Sequence, residues 1–401
     1  MPGARRSANA VAFVLDQAAP GDSSYRVSSR SLIASRRYGL AMHTSPASSS
    51  TDRRVGWVDH AKGICIVWVV TMYATDYVKE ITHSIGWMQY AVNFAQPFRM
   101  PDFFLLSGLF VSRVLDRPWR AYLDTKVVHF VYFYVLWATL KFVNMHGSAL
   151  VGPDALDLVP EYLSMFVEPP TGPLWFIYVL ALYFLAVRAL RKVPPVIVLA
   201  FAAALEIAVT WGADMAWSIK LADKFARYFV FFYAGHLLAP RIFAAAGWAQ
   251  EHRATAIGVL AAWAIVNQVL VSLQLTFLPG MQLLLGFVGA GGVMLAAAQL
   301  ASVDAMRWLR YLGQHSIVVY LGFVIPLGMM RRLVAQPPAM LDLGTLSFIV
   351  MAASIAGAML LYWGVRRTPL RFLYERPSWA RLVRARKVPD VQPEPARSTV
   401  Q

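Results

Sequence analysis

Charge is scarce in this sequence and cysteine nearly absent. Only 15% of its 401 residues are charged, against 58% hydrophobic, and the mean hydropathy is +0.50. A water-soluble domain cannot bury that much apolar surface, so the chain belongs in lipid. One cysteine, Cys65, excludes an internal disulfide, and no Cys/His grouping has zinc spacing, so no metal is expected. Inside an apolar run, Cys65 reads as a small buried hydrophobe. The formal net charge of +15 does not point to nucleic acid, because the cations sit mostly in tails and short loops.

Residues 1–54 have no long apolar period and read as a basic, disordered tail, typified by "SSRSLIASRRYGLAMHTSPASSSTDRR". The tail lacks the apolar core and cleavage site of a secretory signal, and Met42 is an alternative start within it. From Trp57 about ten apolar runs of bilayer-spanning length follow, near 58–78, 90–111, 126–143, 173–190, 195–212, 225–240, 254–273, 280–300, 308–330 and 344–364. No soluble domain interrupts them. The expected fold is an all-α, multi-pass membrane domain over 55–367, followed by a basic C-terminal tail, 368–401.

Alternate loops carry the cations. One set holds Arg113, Arg117, Arg120 and Lys126, then Arg188, Arg191 and Lys192, then Arg241 and Arg253, then Arg307 and Arg310. The opposite set holds Lys79, Lys220, Lys224, Arg331 and Arg332, and loop 144–172 is acidic. This bias predicts that both termini are cytoplasmic.

Polar residues inside the runs are costly and so are informative. "WVDHAKGICIVWVVTMYATDY" puts Asp59, Lys62, Tyr73 and Asp76 on one stripe of the first helix. An interfacial Asp–Lys pair with a packed tyrosine is the plain reading; the lining of a site is the sharper one. "NFAQPFRMPDFFLLSGLF" sets Arg99 and Asp102 one turn apart in mid-span, where Pro97 and Pro101 free backbone carbonyls. A structural ion pair or a cavity lined by Arg99 accounts for that. Lys126 and His129, after Arg117 and Arg120, form a basic cluster at the cytoplasmic face. It suits lipid headgroups or an anionic cofactor. His315, Ser316 and Tyr320 lie in the ninth run, and "GFVGAGG" in the eighth reads as close helix packing.

Taken together, these segments resemble the membrane-bound acyltransferase family 3, which includes glucan, lipopolysaccharide and nodulation-factor O-acyltransferases. The resemblance rests on "WVDHAKGICIVWVV", "FRMPDFFLLSGLF", "YLDTKVVHFVYFY", "GPLWFIYVL" and "LGQHSIVVYL", in that order, over about residues 55–365. It implies an inner-membrane enzyme that takes an acyl group, acetyl in the simplest case, from cytoplasmic acyl-CoA. The acceptor would be a hydroxyl of an extracytoplasmic carbohydrate or glycolipid. By the same resemblance Asp59, Lys62, Arg99, Asp102, Ser107, Lys126, His129, Trp175, Ser316 and Tyr320 fall on motif positions. Tyr73 stands where the family usually has a histidine.

Acyl transfer needs a base for the incoming hydroxyl and charge stabilisation for the tetrahedral oxyanion. Arg99, Asp59, Lys62 and Tyr73 are the catalytic candidates. His83, ten residues beyond Tyr73, is the first candidate for the base. Asp102, Ser107, Trp175, His315, Ser316 and Tyr320 are assigned to substrate, and Arg117, Arg120, Lys126 and His129 to the acyl-CoA phosphates. A secondary transporter would also show a proline-broken helix and a mid-membrane Arg, but the second half holds no inverted repeat of "FRMPDFF". A catalytically degenerate homologue is the third reading.

Overall fold

The computed structural model describes residues 56–167, 172–211, 220–338 and 340–383; the N-terminal tail and the last residues of the C-terminal one lie outside the described residues. Among the described residues every regular element is helical. The first is α1, Gly56–Thr82. The second apolar run is broken into α2, Met88–Ala95, and α3, Arg99–Gly108. Next comes α4, Trp119–His146, with a π-wound segment over Leu123–Val128. After it come α5, Trp175–Ala189, and α6, Pro195–Trp211. Then follow α7, Lys220–Glu251, α8, Arg253–Ser272, and α9, Met281–Leu300. The ninth run divides into α10, Arg307–Gln314, α11, Ser316–Gly322, and α12, Val324–Met329. The last helix, α13, is Leu343–Val365, capped by the Asp342 carboxylate, which accepts from the Gly344 and Thr345 amides.

Five helices are long and apolar enough to cross a membrane: α4, α7, α8, α9 and α13. A sixth crossing is formed if the bent pair 304–314 and 316–329, at 62°, counts as one span. Ten independent spans are thus more than length and apolarity establish. The 15 residues of α5 and 17 of α6 rise only about 22 and 25 Å, short of a hydrocarbon core of about 30 Å. With 27 residues α1 is long enough, but its polar stripe sets it apart. It tolerates that stripe because it sits inside the bundle, packed against α3, α9, α10 and α13.

The break between α2 and α3 follows from proline chemistry. Pro101 has no N–H for the Pro97 carbonyl, and the turn at Phe98 takes its own bond from Ala95, leaving Phe94 O unserved. Side chains repair both losses: Gln282 Nε2 of α9 donates to Pro97 O at 3.2 Å, and Asn267 Nδ2 of α8 to Phe94 O at 2.9 Å. Irregular backbone at this depth survives because protein, not lipid, satisfies it.

Glycines set the closest helix contacts. A Cβ on Gly313 of α10 would overlap the Asp59 carbonyl, and one on Gly63 of α1 the Leu309 carbonyl. The glycines of "GFVGAGG" in α9 do make room for neighbours, Gly286 for Phe231, Gly289 for Phe98 and Gly292 for Trp263. Beyond α13 the chain stays on the bundle. Arg376 Nη2 pairs with Asp124 Oδ1 at 3.1 Å, both side chains buried, while Leu382 N donates to the same oxygen at 2.7 Å. Trp137 Nε1 donates to Leu373 O at 3.0 Å.

Candidate active site

Two cavities lie along the polar stripe of α1. The larger, about 390 Å³, is lined by Tyr73 of α1, Arg99 and Phe103 of α3, Trp175 and Phe176 of α5, Asp223, Lys224, Arg227 and Tyr228 of α7, and Tyr320 of α11. The smaller, about 60 Å³, is lined by Lys62 of α1, Ser107 of α3, Ile177 and Leu180 of α5, and Ser316 and Tyr320 of α11. Phe103, Phe176 and Tyr320 border both. Their rings form the partition, with centroids 5.2 Å apart for Phe103–Phe176 and 5.5 Å for Phe176–Tyr320.

Arg99 is the first residue of α3, which the proline break leaves free to enter the larger cavity. It is 8% exposed, and its Nε and Nη1 have no hydrogen-bond partner among the described residues. Its electrostatic neighbours are Tyr228, Asp76 and Tyr73. The expected Arg99–Asp102 pair is not made. Asp102 lies one turn further along α3, beside Cys65 of α1, and both its carboxyl oxygens lack a partner among the described residues. It borders neither cavity, so its assignment to substrate is withdrawn.

The wall opposite Arg99 is aromatic and charged. Trp175 and Tyr228 stack at 5.7 Å and 27°, and Lys224 Nζ lies 4.9 Å from the Trp175 ring. Arg227 Nη2 meets Asp223 Oδ1 at 3.2 Å, and Arg227 Nη1 also reaches Thr210 of α6 at 3.4 Å. Behind them Thr210 donates to the buried Glu206 at 3.1 Å.

An acyltransferase domain model matches residues 55–363. This chain belongs to acyltransferase family 3. It is also similar to the inner membrane protein YcfT of Escherichia coli (strain K12), at 24% identity over 158 residues, which cover 34% of this chain and 44% of that relative. The chain therefore matches less than half of YcfT's length. No solved structure matches.

Of the sequence-derived candidates in this chain, Tyr73, Arg99, Trp175 and Tyr320 meet in the larger cavity, and Lys62, Ser107, Ser316 and Tyr320 in the smaller. Asp59 borders neither. Its carboxylate takes a hydrogen bond from Gln314 at 2.9 Å and faces Arg310 at 3.8 Å, which ties α1 to α10. His315 sits at the bend between α10 and α11, its ring 4.2 Å from Tyr311 and 5.7 Å from Tyr362, outside both cavities. His83 is exposed at the end of α1, with φ 53°, and borders neither cavity. Ten residues of helix and turn separate it from Tyr73, a rise of about 15 Å, which ends its candidacy as base.

The expected acyl-CoA face also divides. Arg120 is exposed and Arg117 half-buried, whereas Lys126 and His129 are buried. Lys126 Nζ stands 5.3 Å from the Phe184 ring, and Arg376 and Arg381 of the C-terminal segment approach His129. These four residues do not share one open surface, because the π-wound start of α4 is covered by residues 372–382. Asp223, Lys224, Arg227 and Tyr228 are the site residues that sequence reading missed. Their signal was present: Lys220, Asp223, Lys224 and Arg227 recur at helical spacing.

Proposed function

We propose that this chain is a multi-pass O-acyltransferase of the inner membrane, with ten crossings and both termini cytoplasmic. It moves an acyl group, in the simplest case acetyl, from cytoplasmic acyl-CoA to a hydroxyl of an extracytoplasmic carbohydrate or glycolipid. The observation that carries this reading is the pair of cavities at two depths of α1 with one shared wall. Lys62 and Tyr73 are eleven residues apart in the helix, about 16 Å. A donor reaching in past Lys62 and an acceptor past Trp175 meet at Tyr320 and Phe176. The positive-inside bias of the loops supports the assignment of the Lys62 end to the cytoplasm.

In the transfer, the acceptor oxygen bonds to the thioester carbonyl carbon and the C–S bond breaks. The hydroxyl proton ends on the departing CoA thiol. Arg99, buried and short of partners, supplies positive charge where the oxyanion forms. Asp223 is the one carboxylate among the described residues lining the larger cavity, and no histidine lines it, so Asp223 takes the role of base. Tyr73 does not, because a phenol titrates near pH 10 and is almost wholly protonated at neutrality.

The test is CoA-thiol release from acetyl-CoA by the purified protein in detergent, with and without a glycolipid extract from the source membrane. Release that rises with the extract and vanishes in Arg99→Met supports the reading. Release equal to a protein-free blank contradicts it.

A further inference from the structure

We infer that the Tyr320 hydroxyl is a catalytic hydrogen-bond donor, which holds the thioester carbonyl oxygen at the junction of the two cavities; this rests on the acyl-transfer reading above. Three side chains border both cavities, and two of them, Phe103 and Phe176, have nothing polar to offer. Tyr320 is 5% exposed, and its hydroxyl has no hydrogen-bond partner among the described residues. The Phe176 amide lies close to the phenol oxygen, but that N–H bonds the Pro173 carbonyl at 3.2 Å.

A buried hydroxyl without a partner is destabilising and uncommon in native proteins. Here it sits where the reacting carbonyl must stand if donor and acceptor arrive from opposite cavities. Tyr73 lies within electrostatic reach of both Arg99 and Tyr320, and all three line the larger cavity. Of the two serines lining the smaller cavity, Ser107 is engaged elsewhere, its Oγ donating to Phe103 O at 2.7 Å, and Ser316, unlike Tyr320, does not border the larger cavity. As the acceptor oxygen adds to the thioester carbon, the C=O pair moves onto oxygen. Tyr320 O–H donates to that oxygen without giving up its proton. When C–O re-forms its double bond the C–S bond breaks, and the phenol is unchanged.

The experiment compares wild type and Tyr320→Phe in the acetyl-transfer assay, alongside thermal unfolding and KM for acetyl-CoA. Phe fills the same volume and removes only the unpartnered oxygen. The expected result is a fall in kcat of about 100-fold, the scale of losing one oxyanion donor. KM should stay within about twofold, and the unfolding temperature should be unchanged or raised. Wild-type kcat in Tyr320→Phe overturns the inference while leaving the acyltransferase reading intact. Loss of activity that tracks a lowered unfolding temperature also overturns it, because the hydroxyl would then be structural. A wild-type protein that transfers no acyl group removes both.

Discussion

Arg99 and Asp102 stand one turn apart in α3 with opposite charges, yet each is buried on its own. Removing a member of a buried ion pair strands the other charge and costs several kcal/mol. With no pair to break, the two positions should behave independently. Asp102→Leu removes a carboxyl that has no partner, so thermal stability should hold or rise and acyl transfer should persist. Arg99→Met should fold normally and lose about 100-fold or more in turnover. Thermal unfolding and acetyl transfer on the same preparations check both; inactivity of Asp102→Leu with stability retained would return Asp102 to the site.

In the proposed mechanism Asp223, and not Tyr73, takes the acceptor's proton. Asp223→Asn keeps the shape and hydrogen bonding toward Arg227 but cannot take a proton, and should lower transfer by about 100-fold. Adding Tyr73→His should restore part of that loss, because an imidazole near neutrality is an effective base. Tyr73→Phe alone should be mild. No rescue in the double variant would mean that Asp223 serves structure.

At the scale of elements, α1 and α10 touch backbone to backbone at Gly63 and Gly313. Gly313→Ala forces a methyl against the Asp59 carbonyl and should cost about 2 kcal/mol, the scale of overpacking a tight contact. It should appear as lowered thermal stability in detergent, more than for Gly364→Ala, where the added methyl meets open space. The helices differ in how far sequence revealed them. α8, α9 and α13 fall within a residue or so of their apolar runs, because the turn through Gln274 and Gly280, both at positive φ, and the Asp342 cap punctuate them. The proline break was legible in its cause but not its repair, since Gln282 and Asn267 come from remote helices. The opening turns of α7 were misjudged. Their charges look like loop charges to a hydropathy average, and only packing against Trp175 shows that they face a cavity.

For the molecule as a whole, the C-terminal segment is part of the bundle through residue 382. Arg376 and Asp124 are buried together, so Arg376→Ala strips a buried carboxylate of its ion-pair partner and should cost about 3 kcal/mol. Thermal unfolding that is unchanged would show that the segment only rests on the surface. Nothing in the local composition of "RRTPLRFLYERPSWARLV" signals this docking, which depends on a partner some 250 positions earlier in the chain. Arg99, which lines the larger cavity, was legible as a candidate for the opposite reason: a charge in an apolar run needs no partner's position to be conspicuous.

The central claim is that donor and acceptor enter from opposite faces and meet at the wall shared by the two cavities. Sealed inverted membrane vesicles containing the protein, given labelled acetyl-CoA from outside, test it directly. The prediction is label esterified to a carbohydrate or glycolipid hydroxyl inside the vesicles, inaccessible to an added esterase until the membrane is opened, and absent with Arg99→Met. No protected label, or label confined to the outer face, would contradict the account.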